Sequence, residues 1–285
     1  TITGTNDQPV IDAITSTGSA TSALAITEAA DASAQVLSDS GTVSFNDIDT
    51  TDTVSISFAS NNDIAWSAGT LDTSLASSLV GAFSTGANDA SAPGSTPWSY
   101  NLDSADLDFL ADGETITFSY TVTATDPEGA TATDQVAFTI TGTNDQPVID
   151  AITSTGSATE GNLNAALSDS GTLSFTELDS TDSVTVSESN TGIAWSAGTL
   201  ADQLTSTEIN ALIDGFAINS AQDGWTYNAS VDLDFLAADE TITLTYSVVA
   251  TDNSGATNAA SDAQTVTVTI TGTNDQPVID AITST

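Results

Sequence analysis

Thr1–Thr17 reads TITGTNDQPVIDAITST, and the same string returns unchanged at Thr139–Thr155 and Thr269–Thr285. The copies start 138 and 130 residues apart, and the features between them keep one order. SDSGTVSFNDIDTTDT is matched by SDSGTLSFTELDSTDS, IAWSAGTL appears twice, SADLDFLADGETIT is matched by SVDLDFLAADETIT, and TATDPEGAT by VATDNSGAT. Periods this long exceed those of solenoids and propellers, so each unit is expected to fold as a domain around its own core. The reading is residues 1–8 as a linker from a preceding repeat, 9–143 and 144–273 as two β-sandwich repeats, and 274–285 as a linker with the first strand of a following repeat. Because the opening residues recur, the chain is expected to be an internal slice of a longer protein, with any export signal outside it.

Alternation of apolar with Thr or Ser residues gives the strands. In the first repeat they are expected at 10–14, 41–45, 53–58, 64–68, 98–102, 114–124 and 131–141, with Gly, Asn, Asp and Pro between them. Ile116, Phe118, Tyr120, Val122 and Ala124 form one inward stripe. Several such strands in one domain predict an all-β sandwich. In the second repeat Thr205 and Glu208 have capping-box spacing, followed by Ile209, Leu212, Ile213 and Phe216 at helical intervals, so a short helix is expected there. The tryptophans Trp66, Trp98, Trp195 and Trp225 lie on predicted strands and are read as core.

Composition narrows the chemistry. There are 39 Asp and Glu residues and no Lys, Arg, His or Cys, for a net charge of −39. No basic residue is present to neutralise phosphates, so nucleic acid and anionic membrane surfaces are poor partner candidates. Zinc, iron–sulfur and haem ligation, disulfides and His-dependent nucleophiles are excluded as well. A mean hydropathy of +0.03 with patterned apolar residues argues against the disorder that such a charge would otherwise imply. No apolar run is long enough for a membrane-spanning helix, and no signal-type segment opens the chain.

What remains is oxygen chemistry, and the carboxylates cluster at strand ends. Asp47, Asp49 and Asp52 follow one strand and are matched by Glu177, Asp179 and Asp182. Asp126 and Asp252 each end a long strand in an A-T-D turn, Glu28 and Glu160 lie near the start of each repeat, and Asn144–Asp145 sits in the linker. Converging carboxylates suit Ca²⁺, which takes 6 to 8 oxygen ligands, and no basic side chain exists to relieve their repulsion. Asp39, Asp89 and Asp262 lack such company and are read as solvated surface.

The string W-x-Y followed by LDFLADGETIT, TVTATDPEGATAT and TITGTNDQPV resembles the VCBS-type, cadherin-like repeats of giant bacterial RTX adhesins, across both units and all three linkers. The resemblance implies tandem immunoglobulin- or cadherin-like Greek-key sandwiches with Ca²⁺ between successive domains. It implies ligands Asn6 and Asp7 with Asp47, Asp49 and Asp126 at the N-terminal linker. At the central linker it implies Glu28, Asp108, Asn144, Asp145, Glu177, Asp179 and Asp252. At the C-terminal linker it implies Glu160, Asp234, Asn274 and Asp275. Gly142 stands where a cadherin linker has its first Asp, and Leu110 where a second acid would follow Asp108.

The function so implied is an extender: a secreted, monomeric spacer at the bacterial cell surface, stiffened by Ca²⁺, whose partners are neighbouring repeats and which projects a distal ligand-binding region for adhesion and biofilm formation. The alternative is that the domains themselves bind carbohydrate or self-associate, through Trp98, Trp225 or a Thr-rich strand face. Catalysis is not expected, since only a two-carboxylate glycosidase is chemically open and no acidic pair sits beside a predicted cleft.

Overall fold

The structure is a computed structural model describing residues 1–16, 23–27, 29–30, 34–87, 91–161 and 165–276. The chain forms two compact units: Thr1–Asp145 with Leu178–Thr181, and Gln146–Glu177 with Asp182–Thr285.

The first unit contains β1 (Val10–Ser16), β2 (Ala23–Thr27), β3 (Gln35–Asn46), β4 (Ser55–Ser60), β5 (Ala65–Trp66), helix α1 (Thr73–Gly81), β6 (Phe83–Thr85), β7 (Gly94–Ala105), β8 (Thr115–Thr125) and β9 (Thr131–Thr141). One sheet has the order β1-β3-β7-β6 and the other β2-β9-β8-β4, with β5 also on β8. The chain pairs antiparallel through β1 in the first sheet, then parallel to β9 through β2 in the second. The expected stripe on β8 points inward, from Ile116 to Ala124 at 0–4% exposure, and packs with Val136, Phe138 and Ile140 of β9.

The second unit repeats this plan with β10 (Val148–Ile152), β11 (Thr155–Thr159), β12 (Leu167–Thr176), β13 (Thr185–Trp195), helix α2 (Ser206–Ile213), β14 (Phe216–Ile218), β15 (Gly224–Ala229), β16 (Thr241–Thr251) and β17 (Gln264–Thr271). Its sheets run β10-β12-β15-β14 and β11-β17-β16-β13, and β11 again pairs parallel with the last strand. Each unit is thus an all-β sandwich with its own apolar core.

Four expectations change. The strand expected at 64–68 is only Ala65–Trp66. Phe216 leaves the helical run and opens β14, because α2 ends at Ile213. Asp39 is buried, where its carboxylate accepts from the Ser16 hydroxyl and the Ser40 N–H. The first unit also has a helix that the sequence reading omits.

That helix, α1, has four Ser or Thr among its nine residues, which is weak helical material. Its start is fixed by Asp72, whose side chain accepts from the Ser74 and Leu75 N–H groups. Its end is fixed by tertiary contacts. The buried Tyr100 hydroxyl of β7 donates to the Leu79 carbonyl at 2.9 Å, and Tyr120 of the opposite sheet donates to Val80. In the second unit Tyr227 donates to Leu212 at 3.0 Å and Tyr246 to Ile213 at 2.9 Å. One tyrosine from each sheet therefore satisfies carbonyls that the last helical turn leaves open. Burial holds these hydroxyls in the donor form and pushes Tyr120 up to about 12.

Removing the hydroxyl tests this device. Tyr100→Phe and Tyr227→Phe each leave a buried carbonyl without its donor, and each is expected to cost about 1–3 kcal/mol in urea unfolding. A change within error would show that the helix ends need no such bond.

Candidate metal centres

The acidic residues sit where strands end, so sheet register places them. Asp47 follows β3, Asp126 follows β8, Glu160 follows β11 and Asp252 follows β16. Asp108 and Asp234 lie in loops pinned by fully buried leucines on either side, Leu107 with Leu110 and Leu233 with Leu236.

In the first unit Asp47, Asp49 and Asp52 bring carboxylate oxygens within 4.8 Å of one another. One Asp47 oxygen accepts from the Asp49 N–H at 2.9 Å, and the other is buried and has no partner among the described residues. The Asp49 carboxylate accepts from the linker N–H of Asp7 at 2.7 Å. Asn6 donates to Asp126 at 2.9 Å, and this bond chiefly holds the Asp126 carboxyl below its usual range. Glu128 is shifted upward, first by desolvation and then by the adjacent Asp52 carboxylate.

Asn144, Asp145 and Asp179 also belong to this unit and are buried. The Asp145 N–H donates to the Asp179 carboxylate at 2.8 Å, the same contact that Asp7 makes with Asp49. Asp108 accepts from Gln35 at 3.3 Å. Glu28 lies outside the described residues.

In the second unit Glu160, Asp234 and Asp275 bring oxygens within 4.8 Å of one another. Glu160 is 4% exposed. Its Oε1 accepts from the N–H and hydroxyl of Thr273, both at 2.6 Å, while Oε2 is buried without a partner among the described residues. Asn274 donates to the Asp275 carbonyl at 3.2 Å. Asp275 is held above the ordinary carboxylate range by desolvation, then by Glu160, Asp234 and Asp232. Asp252 is buried and bound by Ser254, with the N–H at 2.9 Å and the hydroxyl at 2.5 Å, and Glu177 is half-buried after β12.

The two triads have the chemistry of a divalent cation site. Oxygens on opposite sides of one Ca²⁺ lie about 4.6–5.2 Å apart, twice the metal–oxygen distance, so three oxygens this close together could share one ion. Left as anions, the carboxylates of a triad repel one another. A buried anionic oxygen with no donor is costly, and a cation would convert both costs into attraction. Three acids at the sites escaped the sequence-derived ligand sets. Asp52 belongs to the acidic run but not to the set implied by resemblance, Glu128 follows Pro127, and Asp232 stands two residues before Asp234.

Gly142 also has an explanation. A Cβ there would lie 2.3 Å from the Leu110 carbonyl oxygen, and one at Gly272 would lie 2.4 Å from that of Ala237. The linker backbone passes too close to the acidic loop for an Asp. Trp98 and Trp225 are buried at 2% and 1% exposure, so neither offers a sugar platform. Trp66 and Trp195 are only half-buried.

No protein-family model matches the chain, and no curated protein matches it. Solved structures similar to it include the zebrafish RET cadherin-like domains 1 to 4, at 11% identity over 94% of this chain and 51% of that one, with a TM-score of 0.27. Protocadherin gammaB7 EC3-6 is similar at 13% identity over 93% and 50%, TM-score 0.37, and Drosophila N-cadherin EC1-4 at 15% over 88% and 49%, TM-score 0.32. The chain spans about half the length of these cadherin structures.

Repulsion within a triad gives a sign test. Because Asp275 is shifted upward, its contribution to stability is present below the unfolded pKa and lost as pH rises through the folded one. Asp275→Asn is therefore expected to raise the thermal midpoint in chelator at pH 7 and to shrink the gain produced by calcium. Asp52→Asn is expected to do the same in the first unit. A lower midpoint in chelator for both variants would contradict a strained, metal-free triad.

Proposed function

We propose that this chain is a calcium-stiffened extender, a tandem-repeat spacer within a secreted adhesin of the bacterial cell surface. The observation that carries the reading is the pairing of each carboxylate triad with a buried oxygen, on Asp47 and on Glu160, that has no donor among the described residues, in a chain without one basic side chain. Both triads draw on segments next to the repeated TGTNDQPV linker, where Asn6, Asp7, Asn144, Asp145, Asn274 and Asp275 stand.

In this reading Asp47, Asp49, Asp52 and Asp126 hold one ion near the first linker, and Glu160, Asp234 and Asp275 hold another near the last. Asp108, Asn144, Asp145, Glu177, Asp179 and Asp252, with Glu28, serve the central linker. Bound Ca²⁺ ties linker to loop and converts a self-repelling joint into a stiff one. Extracellular modules typically hold Ca²⁺ at about 10⁻⁴ to 10⁻³ M, so the spacer would stiffen only outside the cell. It works as a monomer between neighbouring repeats, without catalysis, and carries a distal ligand-binding region toward a surface or into a biofilm. Among the described residues no helix is long and apolar enough to cross a membrane.

Scattering and calorimetry in calcium and in chelator test the proposal. With free Ca²⁺ 100-fold above Kd, each site is expected to add about 2.7 kcal/mol, a rise of roughly 10 °C in midpoint for a domain of this size. The particle is expected to be long and stiff with calcium and flexible without it. Identical scattering curves and midpoints in the two buffers would refute the extender reading.

A further inference from the structure

The octapeptide IAWSAGTL is identical at Ile64–Leu71 and Ile193–Leu200, and its tryptophans are the two that the cores do not bury. The Trp66 indole is nevertheless fixed. Its Nε1–H donates to Glu114 at 2.9 Å, Phe109 meets it edge-on with centroids 5.0 Å apart, and Gly69 packs so close that an added Cβ would lie 2.6 Å from the ring. Trp195 is held the same way by Glu240 at 3.3 Å, by Phe235 at 5.1 Å and by Gly198.

Beside Trp66 lies a cavity of about 520 Å³, lined among others by Leu71, Asp72, Leu75, Asp106 and Phe109. That volume is within the usual range for small-ligand sites. Its floor is aromatic and aliphatic, and its rim carries two carboxylates and several hydroxyls. Asp72 is locked in position by its bonds to the start of α1, and Asp106 is exposed. A second cavity at Trp66, of about 290 Å³ and lined by Gly69, Leu71, Thr73 and Ala76, has its counterpart at Trp195 in one of about 340 Å³ lined by Gly198, Leu200, Ala201 and Ile209.

The geometry points to a carbohydrate subsite in the first repeat, taking a neutral pyranose stacked on Trp66 with its hydroxyls donating to Asp72 and Asp106. An aromatic face suits the C–H surface of such a sugar, and carboxylates make strong bonds to hydroxyl donors. Anionic glycans do not fit, since the chain offers no cation and carries a charge of −39. In the second repeat Ala201 stands where Asp72 does while Asp232 keeps the place of Asp106, so that repeat has the platform with one acceptor fewer and serves as an internal comparison. This site shares no residue with either carboxylate triad.

The test uses the whole chain in calcium. Neutral gluco-, galacto- and manno-configured oligosaccharides are titrated while the indole N–H resonances are followed, with a uronic-acid oligosaccharide and a Lys-rich peptide as further arms. At least one neutral sugar is expected to shift the Trp66 signal saturably and leave Trp195 in place. Calorimetry is expected to show at least tenfold weaker binding for Trp66→Ala and for Asp106→Ala, the latter at an exposed residue whose loss leaves the fold intact. The inference is overturned if no neutral sugar moves Trp66 at millimolar concentration, if both indoles shift alike, if Asp106→Ala binds as tightly as the parent, or if only the anionic glycan or the peptide binds.

Discussion

With no basic side chain, every carboxylate in this protein must find an N–H, an O–H, water or a metal ion. Most of the described structure obeys that constraint with donors close in sequence or space. Asp63 takes the Ser119 N–H at 2.9 Å and also the Ser119 hydroxyl, Asp169 takes the Ser157 and Ser170 N–H groups at 2.6 and 2.8 Å, and Asp72 and Glu208 are spent on helix starts. Serine and threonine thereby take the place of Lys and Arg. The buried oxygens of Asp47 and Glu160 have no such donor among the described residues, and both sit within carboxylate triads. Charge composition and folding are therefore one problem in this chain.

The triads depend on packing elsewhere. Leu233 and Leu236 sink into the core and fix the loop that presents Asp234, while the register of β11 against β17 brings Glu160 beside the exit of the last strand, where Thr273 and Asp275 stand. The close approach at Gly272 holds the linker against that loop. A carboxylate cluster of this kind is built by backbone placement, because its own side chains repel one another.

Much of the fold could be read from local pattern. Alternation in β8 and β16 marks which residues face inward, and those residues form the core with almost no exposure. The spacing of Asp47, Asp49 and Asp52 likewise brought a local cluster into view. Asp39 was misread because burial within a sheet leaves no signature in a single Asp between serines. Glu128 and Asp232 were missed because their relation to the triads depends on loops folding back.

The sequence by itself determined the repeat, the two-sheet sandwich, the capping box of α2 and the exclusion of every chemistry that needs a basic or sulfur side chain. These follow from local periodicity and composition, which the chain carries residue by residue. Tertiary structure alone decided that a Ser-rich segment becomes α1, held by tyrosines from both sheets. It alone decided that Trp98 is buried while Trp66 borders a cavity, and that Glu160, Asp234 and Asp275 meet. Each of these outcomes depends on strand register and loop closure between residues far apart in the chain, and local pattern does not encode such distances.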